Sequence, residues 1–209
     1  MAIDVKTAYS AWAEQYDTNR NRTRDLEAKS LRQTLADIPF ENCLEIGCGT
    51  GKNTEWLVQK AQHITAVDLT AEMLAKARQK IPSEKVQFHQ ADINDPWHFG
   101  HGHYDLVTFS LVLEHIENLD HVFRETADSL RPGGHVYVGE LHPFKQYSGT
   151  KARFDTAEGR QVVTCFDHHV SDFVQSAKRN GLSLLDLNEF FDEEGRAGLP
   201  RVLVLLFRK

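Results

Sequence analysis

The sequence has no apolar run approaching the roughly 20 residues needed to cross a bilayer, so no membrane span is expected. After Met1-Ala-Ile-Asp-Val-Lys it lacks the apolar core and cleavage site of a secretory leader, and no signal peptide is expected. Positive charge is in short supply: 24 Lys and Arg against 30 Asp and Glu leave a formal net charge of −6. That balance argues against broad electrostatic attachment to nucleic acid, although a local basic patch would escape the sum. Cysteine is sparse. Cys43, Cys48 and Cys165 are odd in number and form no CxxC pair, which fits reduced thiols in a cytoplasmic protein. Histidine is plentiful at 11 residues, yet none has the HExxH spacing of a zinc site. His98, His101 and His103 crowd one connection without thiolates or a helical i,i+4 partner, so they read as a solvated loop and no metal is expected.

What is there is an ordinary globular composition, 41% hydrophobic and 26% charged, in 209 residues that favour one domain with room for a small cap. Residues 4–17 space Val5, Ala8, Tyr9, Trp12, Ala13 and Tyr16 at helical intervals. A polar loop is expected over 18–24, then a helix over 25–37 that Pro39 stops. Strands are expected at 43–46, 63–67, 86–89, 104–110, 135–140, 182–187 and 200–207, with helices at 53–60, 70–80 and 168–179 among the connections. The run Tyr104–Ser110 is nearly continuous in apolar character, as buried parallel strands are. Another helix, carrying Phe123, ends at Leu130-Arg-Pro-Gly-Gly, a turn that stops a helix before a strand. The alternation is that of an α/β fold with a mostly parallel sheet.

The stretch Leu44–Gly51, Leu-Glu-Ile-Gly-Cys-Gly-Thr-Gly, organises this pattern. Three glycines at alternating positions after a strand let a ligand approach the main chain closely. The helix that follows offers unpaired N–H groups, suited in a nicotinamide enzyme to a pyrophosphate. Asp68, at the tip of the second strand, can accept from ribose hydroxyls or cap the next helix. Asp92 stands in the loop after the third strand, where it can equally make a turn.

Taken together, Glu45–Gly51, Asp68, Ala91-Asp92 and Leu130-Arg-Pro-Gly-Gly fall in an order that resembles class I S-adenosylmethionine (SAM) dependent methyltransferases. The resemblance runs from about residue 40 to the C-terminus. Nicotinamide enzymes use Gly-x-Gly-x-x-Gly, whereas this chain has Gly-x-Gly-x-Gly. The chain looks most like the small-molecule type with a helical lid (methyltransferase type 11/25-like). That implies a Rossmann-like, seven-stranded, mostly parallel sheet with helices on both faces and the last strand antiparallel. It also implies a lid over 1–38, a methyltransferase domain over 39–209 and, at about 141–166, a segment too long for an ordinary connection that covers the substrate.

The same resemblance implies SAM as cofactor and S-adenosylhomocysteine (SAH) as product. The lid would bring Tyr16, of the pair Tyr16-Asp17, to the cofactor. Gly47, Cys48, Gly49 and Gly51 would hold its methionine part, with Glu45 ordering the loop and the amino end. Asp68, beside Leu69, would take the ribose. Met73, Asp92 and Ile93 would take the adenine, and Ser110 would border the methyl group.

SAM chemistry needs an aligned nucleophile, and a general base only where that nucleophile must shed a proton. His115 and His142 follow the fourth and fifth strands and are the candidate bases; His115 can equally just begin the next helix. Phe144 and Tyr147 can wall an acceptor or pack the lid. Lys145, Lys151 and Arg153 can bind an anionic group or stand in solvent, and His168 can reach inward. The expected reaction is methyl transfer to a small-molecule acceptor. RNA or protein methylation and a non-catalytic SAM-binding module are the alternatives. Phe109-Ser-Leu-Val-Leu-Glu stands where methyltransferases of exocyclic base amines carry Asn/Asp-Pro-Pro-Tyr/Phe, which disfavours that chemistry. Neither the acceptor atom nor the oligomeric state is specified by the sequence.

Overall fold

Strand and helix alternate as expected and build one seven-stranded sheet. The computed structural model describes residues 3–100, 103–156, 159–192, 196 and 198–209; His101, of the histidine-rich connection, lies outside the described residues. The strands are β1 (Asn42–Ile46), β2 (His63–Asp68), β3 (Val86–Gln90), β4 (Tyr104–Ser110), β5 (Leu130–Leu141), β8 (Ser183–Phe190) and β9 (Val202–Arg208). A separate hairpin pairs β6 (Arg153–Thr156) with β7 (Gly159–Val162). The sheet order is β3-β2-β1-β4-β5-β9-β8. Strand β9 runs antiparallel to both its neighbours and the remaining pairings are parallel. The order reverses between β1 and β4, and a crevice opens beyond the carboxyl ends of strands at such a point.

Alternation along the strands feeds two cores. Leu44 and Ile46 of β1 face one side with Val107 and Phe109, under α5 (Leu119–Ser129) and α7 (Val170–Arg179). Cys43 faces the other with Leu106 and Tyr137, under α2 (Arg22–Thr34) and α3 (Thr54–Lys60). Leu74 of α4 (Ala71–Lys80) joins this second core. Helices therefore cover both faces.

The helix expected over 4–17 ends at Trp12 and the strand expected at 182–187 runs on to Phe190; two other boundaries differ for local reasons. Helix α2 starts inside the expected loop, because the Asn21 side chain accepts from the backbone N–H groups of Thr23 and Arg24 at 3.0 Å each. Strand β5 starts at Leu130, which pairs with Tyr104, so Arg131-Pro-Gly-Gly is an irregularity within the strand.

The segment after β5 forms α6 (Pro143–Tyr147) and then the β6–β7 hairpin. Ile3 docks beside it: its N–H donates to Val162 and its carbonyl accepts from the Thr164 N–H, each at 3.0 Å. Ala8 and Trp12 of α1 (Val5–Trp12) form a third apolar cluster with Val163. Helix α1 and the long segment thus pack on each other. No helix among the described residues is long and apolar enough to cross a membrane.

Candidate active site

The sheet order places four loops in a row. Asp92 follows β3, Asp68 ends β2, Gly47 and Gly49 follow β1, and Ser110–His115 follow β4. Neighbouring strands lie about 4.8 Å apart, so the row spans roughly 14 Å. These loops wall a cavity of about 320 Å³, closed on the outer side by Asp4, Val5, Tyr9 and Tyr16.

The glycine loop is shaped by its neighbours. The N–H groups of Gly47 and Cys48 both donate to the Val67 carbonyl, at 2.8 and 3.0 Å. Gly47 has φ +71°, and a Cβ there would lie 1.9 Å from Val112 Cγ2. Only glycine satisfies both demands. Leu111, also on the cavity wall, holds a left-handed φ of 57° that a branched side chain adopts at a cost.

Asp68 does two things at once. Its Oδ1 accepts from Thr70 N–H at 2.9 Å and the Thr70 hydroxyl at 3.0 Å, which closes a turn ahead of α4; its Oδ2 accepts from Gly49 N–H at 2.9 Å, which ties β2 to the glycine loop. A carboxylate offers about four acceptor directions, so one on Oδ2 is left for a ligand. Burial pushes its carboxyl above the usual carboxylate value. Asp92 uses Oδ1 for the N–H and side-chain amide of Asn94, at 2.9 and 2.8 Å. The turn and the ligand readings of both aspartates are therefore compatible.

Among the expected cofactor residues, Tyr16, Gly47 and Gly49 line the cavity, as do Asp68, Leu69 and Met73, and so do Asp92, Ile93 and Ser110. Glu45, Cys48 and Gly51 stand outside it. Glu45 is buried and accepts from Thr54 Oγ1 at 2.5 Å. The Cys48 side chain joins the second core, and Gly51 makes room for Ile81, whose Cδ1 would lie 2.7 Å from a Cβ.

His115 lines the cavity and His142 does not. The His142 Nδ1 accepts from the Phe144 N–H at 3.2 Å, capping α6, and its Nε2 lies 3.0 Å from Glu189 Oε1. Burial lowers its pKa, against the opposing pull of Glu189. Phe144 and Tyr147 point to solvent, at 47% and 52% exposure, and Arg153 is exposed at the start of the hairpin. Neither they nor Lys145 reach the cavity. His168 is buried behind the wall, donating from Nε2 to the Ile116 carbonyl at 2.7 Å. Phe144, Lys145, Tyr147 and Arg153 thus stand away from the cavity on α6 and the hairpin, and residues at the start of α1 lie over it instead.

Tyr9 is the residue that sequence reasoning assigned only to core packing. Its phenol lies 2.9 Å from His115 Nε2 and lines the cavity. One signal was available: Tyr9 and Tyr16 are seven residues apart, about two turns of an uninterrupted helix, and although α1 stops at Trp12 their rings still meet at 6.1 Å. The turn carrying Asp17 holds this segment down, its carboxylate accepting from Thr50 Oγ1 at 2.5 Å and from Lys80 at 2.6 Å. Arg24 lies 3.9 Å over the Tyr16 ring and donates to the Tyr16 carbonyl.

The donor set suits a nucleoside bearing an amino-acid tail: carboxylates at the tips of β2 and β3, a glycine-lined wall at β1, and a half-apolar wall after β4. Comparison with known proteins agrees with this chemistry. Residues 44–138 match the family model described as a methyltransferase domain. The chain is 26% identical over 228 aligned residues to an uncharacterised methyltransferase of Emericella nidulans, covering 89% of this chain and 78% of that protein. It is 33% identical to a ubiquinone biosynthesis O-methyltransferase of Marinobacter nauticus, over 49% of this chain and 44% of that protein. The solved structure of DhpI with SAH superposes with a TM-score of 0.76 at 23% identity, covering 97% of this chain and 93% of that one; at this identity the likeness is one of fold.

Proposed function

We propose that this chain, a class I SAM-dependent methyltransferase, passes the methyl group to a small-molecule acceptor in the space between α1 and the His115 turn. The observation that supports the acceptor class is the cover over the cavity. Asp4, Val5, Lys6 and Tyr9 at the start of α1 lie over one side of it, so that it is partly enclosed. A small acceptor fits such a space, and a folded protein or an RNA duplex does not. The cavity-facing cations are equally few for a phosphate backbone: Lys6 alone among the described lining residues carries a positive side chain.

When bound, SAM supplies a methyl group already activated by a positive sulfonium. The residues provide position. Asp68 accepts from the ribose through its open Oδ2 direction, and Asp92 with the Ile93 amide meets the adenine. The wall at Gly47 and Gly49 lets the methionine part lie against the main chain. Tyr16 closes over it from α1's end of the chain, and Ser110 borders the methyl group. His115 stands where a proton can leave the acceptor. Holding two reactants in line in this way removes several kcal/mol of barrier.

Two measurements test the reading. Titration calorimetry with SAM and with SAH is expected to give micromolar binding or tighter, about −8 kcal/mol. Absence of binding to both overturns it. A screen with radiolabelled SAM over phenols, thiols, amines and carboxylic acids is expected to label at least one small acceptor; transfer only to RNA or protein would move the function to those classes.

A further inference from the structure

The surroundings of His115 fix how its proton sits. Its Nδ1 lies 2.8 Å from the Thr164 carbonyl oxygen, which only accepts, so Nδ1 carries the hydrogen. In the neutral ring, Nε2 is then an acceptor, and the Tyr9 phenol at 2.9 Å donates to it. The two rings meet edge to face, 5.4 Å between centroids. The Tyr9 oxygen keeps its lone pairs, and Tyr9 lines the cavity. Burial pushes the Tyr9 phenol well above its usual range, so it stays neutral and can pass a proton on without holding a charge.

We propose that Tyr9 is a catalytic residue: it takes the proton of the acceptor's hydroxyl and hands its own to His115, so that the enzyme methylates a weakly acidic hydroxyl of the phenol or enol kind. This rests on the methyl-transfer reading above. The acceptor oxygen forms a bond to the methyl carbon as the methyl–sulfur bond breaks, and that electron pair remains on sulfur as the thioether of SAH. The acceptor's proton moves to the Tyr9 oxygen while the Tyr9 proton moves to His115 Nε2. The resulting imidazolium donates from Nδ1 to Thr164 and from Nε2 to Tyr9, with Glu114 Oε1 4.0 Å from Nε2 to balance its charge.

The other titratable groups facing this pair do not compete as proton acceptors. Cys165 Sγ lies 3.8 Å from Nδ1, on the side already engaged by Thr164, and burial raises its thiol to about 12. Glu114 does not line the cavity and so does not meet the acceptor; burial raises its carboxyl, while His115 and Lys151 favour the ionised form that faces the imidazolium. Tyr16 and Asp68 face Tyr9 from the far side. Tyr9 and Tyr16, with ring centroids 6.1 Å apart, both line the cavity and give a planar acceptor an aromatic wall, with Trp12 packed against them at 5.8 and 5.0 Å.

The test uses 4-nitrophenol, whose phenolate absorbs visibly, at a pH one unit below its solution pKa. The whole protein is titrated against it, alone and saturated with SAH. The expected result is a several-fold gain in the phenolate band with the parent protein in both states. Tyr9→Phe, which keeps the ring, and His115→Asn should each abolish the gain while SAH affinity stays within about threefold. With the acceptor found in the screen, Tyr9→Phe should lower turnover on the order of 10²-fold and leave KM little changed. No phenolate gain at millimolar protein, or an equal gain in Tyr9→Phe, overturns the relay. Failure to bind SAH counts against the methyltransferase reading instead, since the probe is read without it.

Discussion

Thr54 donates its hydroxyl hydrogen to Glu45 Oε2 at 2.5 Å, which sets the acidic residue of the glycine motif against α3 and outside the cavity. Its carboxyl is engaged there rather than on the cavity wall. Burial raises the Glu45 carboxyl to about 8, and burial with the neighbouring Glu114 raises Glu140 to about 8 as well. Both folded values exceed the ordinary 4.5, so between these limits the folded state holds protons that the unfolded state has released. The stability this contributes is full below the unfolded value and is lost as pH rises through the folded one.

Glu140→Gln should flatten that dependence. Its amide oxygen can still accept from the N–H groups of Val112 and Leu113, which Glu140 Oε1 holds at 2.9 and 2.8 Å. Thermal melts at mildly acidic and mildly alkaline pH should show the parent losing a few degrees more than the variant. Equal slopes would show that the carboxyl is already ionised in the fold.

Asp68→Ala and Glu45→Gln should separate the two acidic residues of the motif region. Removing Asp68 deletes the open Oδ2 acceptor and unties Gly49, so SAM affinity should fall about 10- to 100-fold, the scale of a charge-assisted hydrogen bond. Glu45→Gln should leave it within about threefold. Calorimetric titration reads both, and the reverse ranking would exchange their roles.

Gly47→Ala should cost more than about 2 kcal/mol of stability, from the left-handed φ and from the 1.9 Å approach to Val112 together. Trimming Val112 to Ala in the same chain should recover only the steric part. Urea unfolding measures each step; a Gly47→Ala protein as stable as the parent would mean that the loop can relax away from Val112.

His142→Ala should leave turnover unchanged and lower stability by about 1 kcal/mol, the loss of a helix cap. Paired kinetic and melting measurements decide this. A fall in turnover with SAM affinity intact would bring His142 back to the chemistry.

The sheet was legible because its strands are short apolar runs set apart by turn chemistry; Tyr104–Ser110 is found where its near-continuous apolar run predicts it. The cavity's inner wall was legible for a related reason, since the expected cofactor residues on it, Met73 of α4 apart, end a strand or follow one closely. What was not legible is long-range. His115 meets Tyr9 across 106 residues and Thr164 across 49, and no local pattern announces either partner. Residues 141–166 misled in the other direction. Their aromatic and basic side chains suit a substrate pocket by type, but α6 and the hairpin present Phe144, Tyr147 and Arg153 to solvent.

The carbonyl of Thr164 gives this segment an importance that does not depend on its side chains. Because a main-chain oxygen sets the tautomer of His115, replacing residues 141–166 would loosen the imidazole on the cavity wall, although none of the described residues among them lines the cavity. Redesign here would act on proton handling rather than on acceptor shape, and grafts that preserve the Ile3–Val163 docking are the ones expected to keep activity.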